Sequence, residues 1–168
     1  MFNFLKKKPF IERLSDGIQK ELSKRLSKKE LLDFVSISEK YGLDKNYLHF
    51  RNQEPDFALG CFAVTLTSFA NKMGEIGNPQ LAEKAINLAL KINPHWLPAY
   101  MTLALIHHYK GDTKKALICC DKALKIYRKL KSTPKEKLTF HEEGILIGNT
   151  GEEIKNLKNQ LKVINKKL

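Results

Sequence analysis

The sequence predicts an all-α protein built from stacked antiparallel helical hairpins. Apolar residues recur every three or four positions along most of the chain, and no convincing run alternates as a strand would. Residues that begin and end helices separate these segments. The chain also matches itself, because residues 63–96 align without a gap with residues 97–130, an offset of 34. A period of this length is typical of helical repeat proteins.

Residues 1–54 predict an N-terminal helical extension that begins with an amphipathic helix at about 9–26. Pro9 suits the first turn of such a helix. Apolar side chains then recur every fourth position and form one stripe: Phe10, Leu14, Ile18, Leu22 and Leu26. We expect this stripe to pack on the rest of the chain, to pair with a second copy, or to lie on a membrane surface.

A second helix of the extension is expected at about 28–41. Ser27 and Glu30 have the spacing of a capping box, in which the side chain of each residue accepts a hydrogen bond from the backbone N–H of the other. Gly42 suits the left-handed residue that often ends a helix. A short helical or irregular segment is expected after Asp44.

Residues 55–168 predict a repeat domain made of further helices. The segment GEIGN and Gly111 mark turns, and Asn78 and Asp112 suit helix N-caps. These signals predict helices at about 56–72, 79–92, 96–110 and 113–130. Two more helices are expected to start at Thr133-Pro134 and at the capping-box sequence Thr150-Gly-Glu-Glu153.

Small residues recur at matching positions of the two units 63–96 and 97–130. The matched pairs are Ala70 and Ala104, Ala82 and Ala116, and Ala89 and Ala123. Because alanine lets two helix axes approach closely, these pairs predict tight packing between facing helices. The pattern resembles the tetratricopeptide repeat family, in which an aromatic-Leu-small-aromatic helix precedes an Ala-rich helix. The resemblance implies an α-solenoid of stacked hairpins.

A degenerate third unit can be aligned at 137–168 and is expected to cap the stack. Five of its residues are in register with the two stronger units: Phe140, Gly144, Ile147, Gly151 and Val163. Polar Glu143, Asn156 and Gln160 replace apolar or small residues of the pattern. Since stacked repeats need soluble ends, such replacements are typical of a terminal capping repeat.

The resemblance implies that the first helices of the units line a concave groove that binds another protein. The groove residues expected from their positions are Thr67, Asn71, Met101, Thr102, Leu105, His108, Tyr109 and His141. A mixture of apolar side chains with scattered polar groups suits the docking of a peptide or helix. An ordinary solvated face is the alternative.

The stretch LIHHYKGDTKKALICC, residues 105–120, places a His pair and a Cys pair around a turn. Adjacent helical residues point about 100° apart, so neither pair can direct both side chains at one metal ion. We therefore expect no metal and no cofactor, with His107 and Cys120 in the core and His108 turned toward the groove. No Ser-His-Asp order, phosphate-binding Gly loop or His-Glu-x-x-His motif occurs, so no enzymatic activity is expected.

Basic residues dominate residues 110–137, where ten Lys or Arg stand against three acids in a chain of net charge +12. The contact face expected here consists of Lys114, Lys115, Lys122, Lys125, Arg128 and Lys129. A solvated surface is one interpretation, and an acidic or phosphate-bearing partner is the other. Among such partners, nucleic acid is the less favoured one, because no RNA-recognition motif and few aromatic residues accompany these charges.

These observations predict a non-enzymatic adaptor, scaffold or chaperone-like module that binds a peptide or helix of another protein. Two alternatives stay open: a peripheral membrane-surface assembly factor anchored through residues 1–26, with Phe2, Phe4 and Leu5 inserted, and a nucleic-acid- or ribosome-associated factor using residues 110–137. A homodimer through the first helix is also open. Three cysteines form no disulfide framework, so we expect a cytoplasmic protein, with peripheral membrane attachment as the alternative.

Overall fold

The computed structural model describes residues 9–148 and 150–165, and the regular structure in these residues is entirely helical. Phe2, Phe4 and Leu5 lie outside them. The α-helices are α1 Asp16–Arg25, α2 Lys28–Lys40, α3 Asp44–His49, α4 Pro55–Glu75, α5 Pro79–Ile92, α6 Leu97–Tyr109, α7 Thr113–Ser132, α8 Phe140–Ile147 and α9 Thr150–Asn165. The all-α prediction is confirmed. Among the described helices, none has the length and apolar content that a bilayer span requires.

Two antiparallel hairpins, α4 with α5 and α6 with α7, form the centre of the molecule and correspond to the two predicted units. Each hairpin turns at a glycine, Gly77 or Gly111, with φ of +80°. Glycine adopts this left-handed conformation without the steric cost that a Cβ would add. Asn78 and Asp112 cap the helices that follow, as predicted, each accepting a hydrogen bond from a backbone N–H three residues later.

The alanine pairs of the repeat all lie in the core. Each of these six side chains is 0% exposed: Ala70, Ala82, Ala89, Ala104, Ala116 and Ala123. Larger apolar residues such as Leu66 and Ile86 fill the space around them. The small side chains let paired helices approach closely, so the prediction of close packing between facing helices is confirmed.

The N-terminal segment does not form the single helix predicted at about 9–26. A 3₁₀ turn covers Phe10–Arg13, Leu14 and Ser15 are extended, and α1 starts only at Asp16. Tertiary hydrogen bonds explain the break, since the Phe10 N–H donates to Glu39 Oε1 of α2 and the Ser15 N–H donates to the carbonyl of Arg51. The second predicted helix and its Ser27–Glu30 capping box are confirmed, and Gly42 has the expected left-handed φ.

The apolar stripe of the N-terminal segment is buried inside this chain. All five stripe residues belong to the hydrophobic core, and the Phe10 ring lies 5.5 Å from that of Phe34 and 5.6 Å from that of Tyr47. Helices α1–α3 thereby pack on α4 and α5. Of the three outcomes expected for the stripe, packing on the rest of the chain is the observed one, and residues 9–26 lend no support to a membrane anchor or a dimer. The division of the chain at residue 54 stays a prediction.

The register predicted for the third unit is wrong. Phe140, Ile147 and Val163, which were aligned with buried positions, are 71%, 84% and 54% exposed. Helix α9 instead runs antiparallel along α7. Gly151, near its start, lies against the Tyr127 ring, and Lys158, later in α9, pairs with the earlier Asp121 of α7. It therefore occupies the place that the first helix of a third unit would take.

The buried residues of α9 follow the spacing of α6. Ile154 and Leu161 are 0% and 1% exposed, and they align with Tyr100 and His107 of α6. Lys158 then falls where the first helices of the two units carry a small alanine. A lysine at this position is too large for the close packing that the alanines allow between the paired helices of the two hairpins.

The chain between α7 and α9 also differs from the expectation. The start predicted at Thr133-Pro134 produces only a 3₁₀ turn, Lys135–Lys137. Helix α8 begins later, where Thr139 and Glu142 form a capping box that was not predicted. Helix α9 already includes Thr150, so this residue is not the N-cap that the second predicted capping box requires.

Candidate functional site

A cleft of about 500 Å³ lies between the C-terminal halves of α4 and α6, and we call it the α4–α6 groove. Its walls are Ala70, Asn71, Gly74, Glu75, Thr102, Leu105, Ile106 and Tyr109. Four of the predicted groove residues are in this set: Asn71, Thr102, Leu105 and Tyr109. The structure thus brings half of the predicted binding residues into one cavity.

A hydrogen bond between the two helices fixes the polar side of the groove. The buried Thr102 Oγ1 donates to Asn71 Oδ1 at 2.9 Å, which orients the amide of Asn71. No acceptor among residues 9–148 and 150–165 takes the two hydrogens on the Asn71 nitrogen. Because Asn71 is exposed, these hydrogens are available to a carbonyl oxygen of a bound chain.

The apolar side of the groove is formed by two side chains of α6 that are left open to solvent. Tyr109 is 82% exposed and Leu105 is 37% exposed. Covering these side chains removes apolar surface from water, which favours a complex. Aromatic residues in such positions are also the ones that most often dominate binding energy. The groove therefore offers a polar and an apolar contact side by side.

Thr67 is a structural residue instead of a groove surface residue. It is buried, its Oγ1 donates to the carbonyl of Ala63 at 2.8 Å, and it accepts a hydrogen bond from Trp96 Nε1 at 3.1 Å. Trp96 immediately precedes α6. The hydroxyl of Thr67 thus positions α6 against α4 and is not available to a partner.

His141 is also occupied within the chain. Its ring stacks on Phe57 with centroids 5.5 Å apart, and its Nε2 lies 3.1 Å from the carbonyl oxygen of Phe57. The ring fits because Gly60 has no side chain, since a Cβ there would lie 1.9 Å from the His141 ring. This contact brings α8 against the N-terminal part of α4, beside Trp96 and Pro98 at the start of α6. Helix α8 therefore closes that end of the space between α4 and α6.

A second contact between α8 and the rest of the chain is a side-chain hydrogen bond. Glu142 Oε1 lies 2.5 Å from Nδ1 of His95, in the loop between α5 and α6. Burial acts to raise the pKa of Glu142, but hydrogen bonds from Thr139 and His95 outweigh it and hold the pKa below its ordinary value. Glu142 is therefore charged at neutral pH and keeps α8 against this loop.

The two remaining groove candidates, Met101 and His108, are partly buried beside the groove and do not line it. Met101 packs against the hydrophobic core. The His108 ring lies 5.8 Å from the Tyr109 ring, and its Nδ1 is shielded from solvent without a hydrogen-bond partner in the described part of the chain. Both side chains therefore pack within the chain and are not part of the groove surface that a partner would contact.

The His and Cys pairs around Gly111 form no shared site. Cys119 and Cys120 are buried, and burial raises the pKa of Cys120 to about 11. A thiol with such a pKa stays protonated at neutral pH and is a poor metal ligand or nucleophile. His107 is only half-buried, whereas Cys120 occupies the core position expected for it. Within the described residues, no three His, Cys, Asp or Glu side chains converge as metal ligands would.

The predicted basic face is exposed along α7. All six of its side chains are open to solvent: Lys114, Lys115, Lys122, Lys125, Arg128 and Lys129. Lys115 pairs with Asp112 at 2.8 Å, and this partner raises the pKa of Lys115. The other five have no acidic partner in residues 9–148 and 150–165.

Residues 97–130, which contain α6 and α7, match the family model described as tetratricopeptide repeat. The match covers 34 of the 168 residues and supports the resemblance to this family. The match begins and ends where the self-alignment placed the second unit. Tetratricopeptide repeats are typical of protein–protein interaction modules, and their stacked hairpins create concave surfaces for binding. The comparisons with curated proteins and with solved structures find no match.

Sequence reasoning missed the contacts that α8 makes. The spacing of Thr139 and Glu142 is itself a capping-box signal and could have located the start of α8. The pairing of His141 with Gly60 and that of Glu142 with His95 join residues far apart in the chain. No local sequence pattern predicts either pairing.

Proposed function

We propose that this chain is a non-enzymatic interaction module, of the adaptor, scaffold or chaperone-like kind, that holds a peptide or helix of another protein in the α4–α6 groove. The observation that carries the proposal is the exposure of Tyr109 and Leu105 beside the Asn71 amide. A tetratricopeptide repeat with an open aromatic residue next to an unused hydrogen-bond donor has the features of a docking groove.

The groove supports a specific mode of binding. A carbonyl oxygen of the partner accepts a hydrogen bond from the Asn71 nitrogen, while an apolar side chain of the partner contacts Leu105 and Tyr109. Glu75 lies in the same groove and favours a partner segment with a basic residue or free N–H groups near it. Since α8 closes the opposite end, we expect the bound segment to lie toward the Gly77 and Gly111 turns.

We infer that the module works in the cytoplasm. The thiols of Cys61, Cys119 and Cys120 are all free, which suits a reducing compartment.

The test begins with photo-crosslinking in the native cell. A photoreactive amino acid at position 109 should join the chain to one segment of one partner, identified by mass spectrometry. The same amino acid at position 32 is the control, because Leu32 is an exposed large apolar residue on α2, away from the groove. Equal crosslinking of the same partner from both positions would contradict the proposal.

The second step measures affinity with a synthetic peptide of the crosslinked segment. Leu105→Ala combined with Tyr109→Ala should weaken binding by about tenfold or more, because both remove apolar contact area at the centre of the site. Leu32→Ala should leave the affinity unchanged. If the double variant binds as tightly as the parent chain, the groove is not the binding surface.

A further inference from the structure

The outer face of α7 carries a cluster of basic side chains with few acidic partners among the described residues. The helix contains seven Lys or Arg and one acid, Asp121. Lys158 of α9 already pairs with Asp121, so this acid is not available to the neighbouring lysines. Lys122, Lys125 and Lys129, spaced three and four residues apart, share one side of the helix. We call these three residues, with Lys114 on the same side, the α7 basic stripe.

Helix α5 shows how this chain satisfies outward lysines elsewhere. Lys84 Nζ lies 2.7 Å from Asp33 Oδ1, and Lys91 pairs with Glu30. Both acids belong to α2, which runs antiparallel to α5 with its N-terminal Glu30 opposite the later lysine. The two lysines of α5 are seven residues apart. An amphipathic helix that presents two acids, three residues apart, on one face is therefore the partner that an outward lysine pair meets inside this molecule.

We propose that the α7 basic stripe binds an acidic amphipathic helix of a second protein, in the manner in which α2 binds α5. Lys122 and Lys129 repeat the seven-residue spacing of Lys84 and Lys91, and Lys125 lies between them. Acids three or four residues apart on one face of the incoming helix can reach these lysines. The stripe is on α7, outside the groove, so this proposal stands or fails independently of the groove.

An acidic helix fits the stripe better than a nucleic acid does. Ile118 is 45% exposed in the middle of the stripe, where it offers apolar contact to a side chain of a helix. A phosphate backbone gains nothing from this residue. No aromatic side chain stands in the stripe to stack on a base, because Tyr127 is packed against Gly151 of α9.

The test uses three labelled probes in fluorescence anisotropy with the full chain. One is a synthetic helical peptide with glutamates three, four and seven residues apart around a central leucine. The second has glutamine in place of every glutamate, and the third is duplex DNA of the same net charge. The glutamate peptide should bind tightest, and its Kd should rise about tenfold or more when salt rises from about 50 mM to about 300 mM. The glutamine peptide should not bind.

Charge reversal locates the binding surface. Lys122→Glu with Lys129→Glu should weaken binding of the glutamate peptide by about tenfold to a hundredfold, as expected for the loss of several exposed ion pairs. Lys20→Glu with Lys45→Glu changes the net charge equally on exposed sites outside α7 and should retain binding. The milder Lys122→Gln with Lys129→Gln gives an intermediate loss and guards against misfolding, which circular dichroism checks.

Three results would overturn the proposal. DNA that binds as tightly as the glutamate peptide would make the stripe a phosphate-binding surface. Failure of the glutamate peptide to bind at low salt would leave the stripe an ordinary solvated face. Equal losses from the α7 pair and from the control pair would show a response to net charge alone, with no contribution from the spacing of the lysines.

Discussion

Replacing Leu161 by alanine should destabilise the protein, although this residue lies near the end of the last helix. Leu161 is buried against the core, whereas Val163, two residues later on α9, is more than half exposed. The self-alignment register would have made Val163 the buried residue. The two substitutions Leu161→Ala and Val163→Ala therefore distinguish the observed position of α9 from the one expected from the repeat.

The loss of unfolding free energy in Leu161→Ala depends on how deeply the side chain is buried and on how far its neighbours can move into the space it leaves. Leu→Ala at well-packed core positions costs about 2.7–5 kcal/mol. Helix α9 packs mainly on α7 and only on one side, so its site can collapse partly, and we expect about 2–3 kcal/mol for Leu161→Ala. Val163→Ala should change the free energy of unfolding by no more than about 0.5 kcal/mol. For a chain of this size, Tm should fall by about 4–12 °C in the first variant only.

The measurement is urea unfolding followed by far-ultraviolet circular dichroism. Leu161→Ala should lower the urea concentration at the unfolding midpoint and leave the slope of free energy against urea concentration, the m value, unchanged. This combination indicates lost stability without a change in the unfolded chain. Val163→Ala should superimpose on the parent curve. A Leu161→Ala variant as stable as the parent, or a Val163→Ala variant that loses as much, would refute the placement of α9.

Two further predictions concern α8 and α2. Gly60→Ala should expel the His141 ring, destabilise the fold by about 1–3 kcal/mol and speed hydrogen exchange of the α8 amides, because the new Cβ would lie 1.9 Å from that ring. The hydrogen bond from Lys91, together with those from Ser27, lowers the pKa of Glu30 from 4.5 to about 2, so Glu30 stabilises the fold above pH 4.5 and loses this contribution as pH falls toward 2. The stability difference between the parent and Glu30→Gln, measured by urea unfolding, should be constant above pH 4.5 and shrink below it.

Each of these predictions has a matched control. Gly74 is on the same helix as Gly60, but no atom lies within 4 Å of a Cβ built there, so Gly74→Ala should leave α8 protected from exchange. Slow α8 exchange in Gly60→Ala would show that the close approach of His141 does not hold α8. Glu54 is exposed and has no ion pair with the described residues, so Glu54→Gln is the control that removes one negative charge without breaking an ion pair. A stability difference for Glu30→Gln that persists to pH 2 would contradict the lowered pKa of Glu30.

The two central hairpins and most helix boundaries follow from local features of the sequence. Gly77 and Gly111 mark the turns, and Asn78 and Asp112 mark the helix starts, because caps and left-handed turns depend on residues only a few positions apart. The repeated spacing of alanines revealed the unit length for the same reason. Positions within the repeat then predicted four of the residues that line the α4–α6 groove.

Tertiary structure decided which side chains of the predicted site are open to a partner. Thr67 is at a groove position in the sequence repeat, but its hydroxyl accepts a hydrogen bond from the indole N–H of Trp96. His141 was also predicted in the groove, but its ring packs against Gly60. Likewise, the burial of Leu161 depends on α7 lying alongside α9. Local sequence features predicted the boundaries of the central helices and the repeat between them. Contacts between distant segments determined the break before α1, the position of α9 and what each helix face touches. Local spacing cannot encode those contacts, because they join residues far apart in the chain.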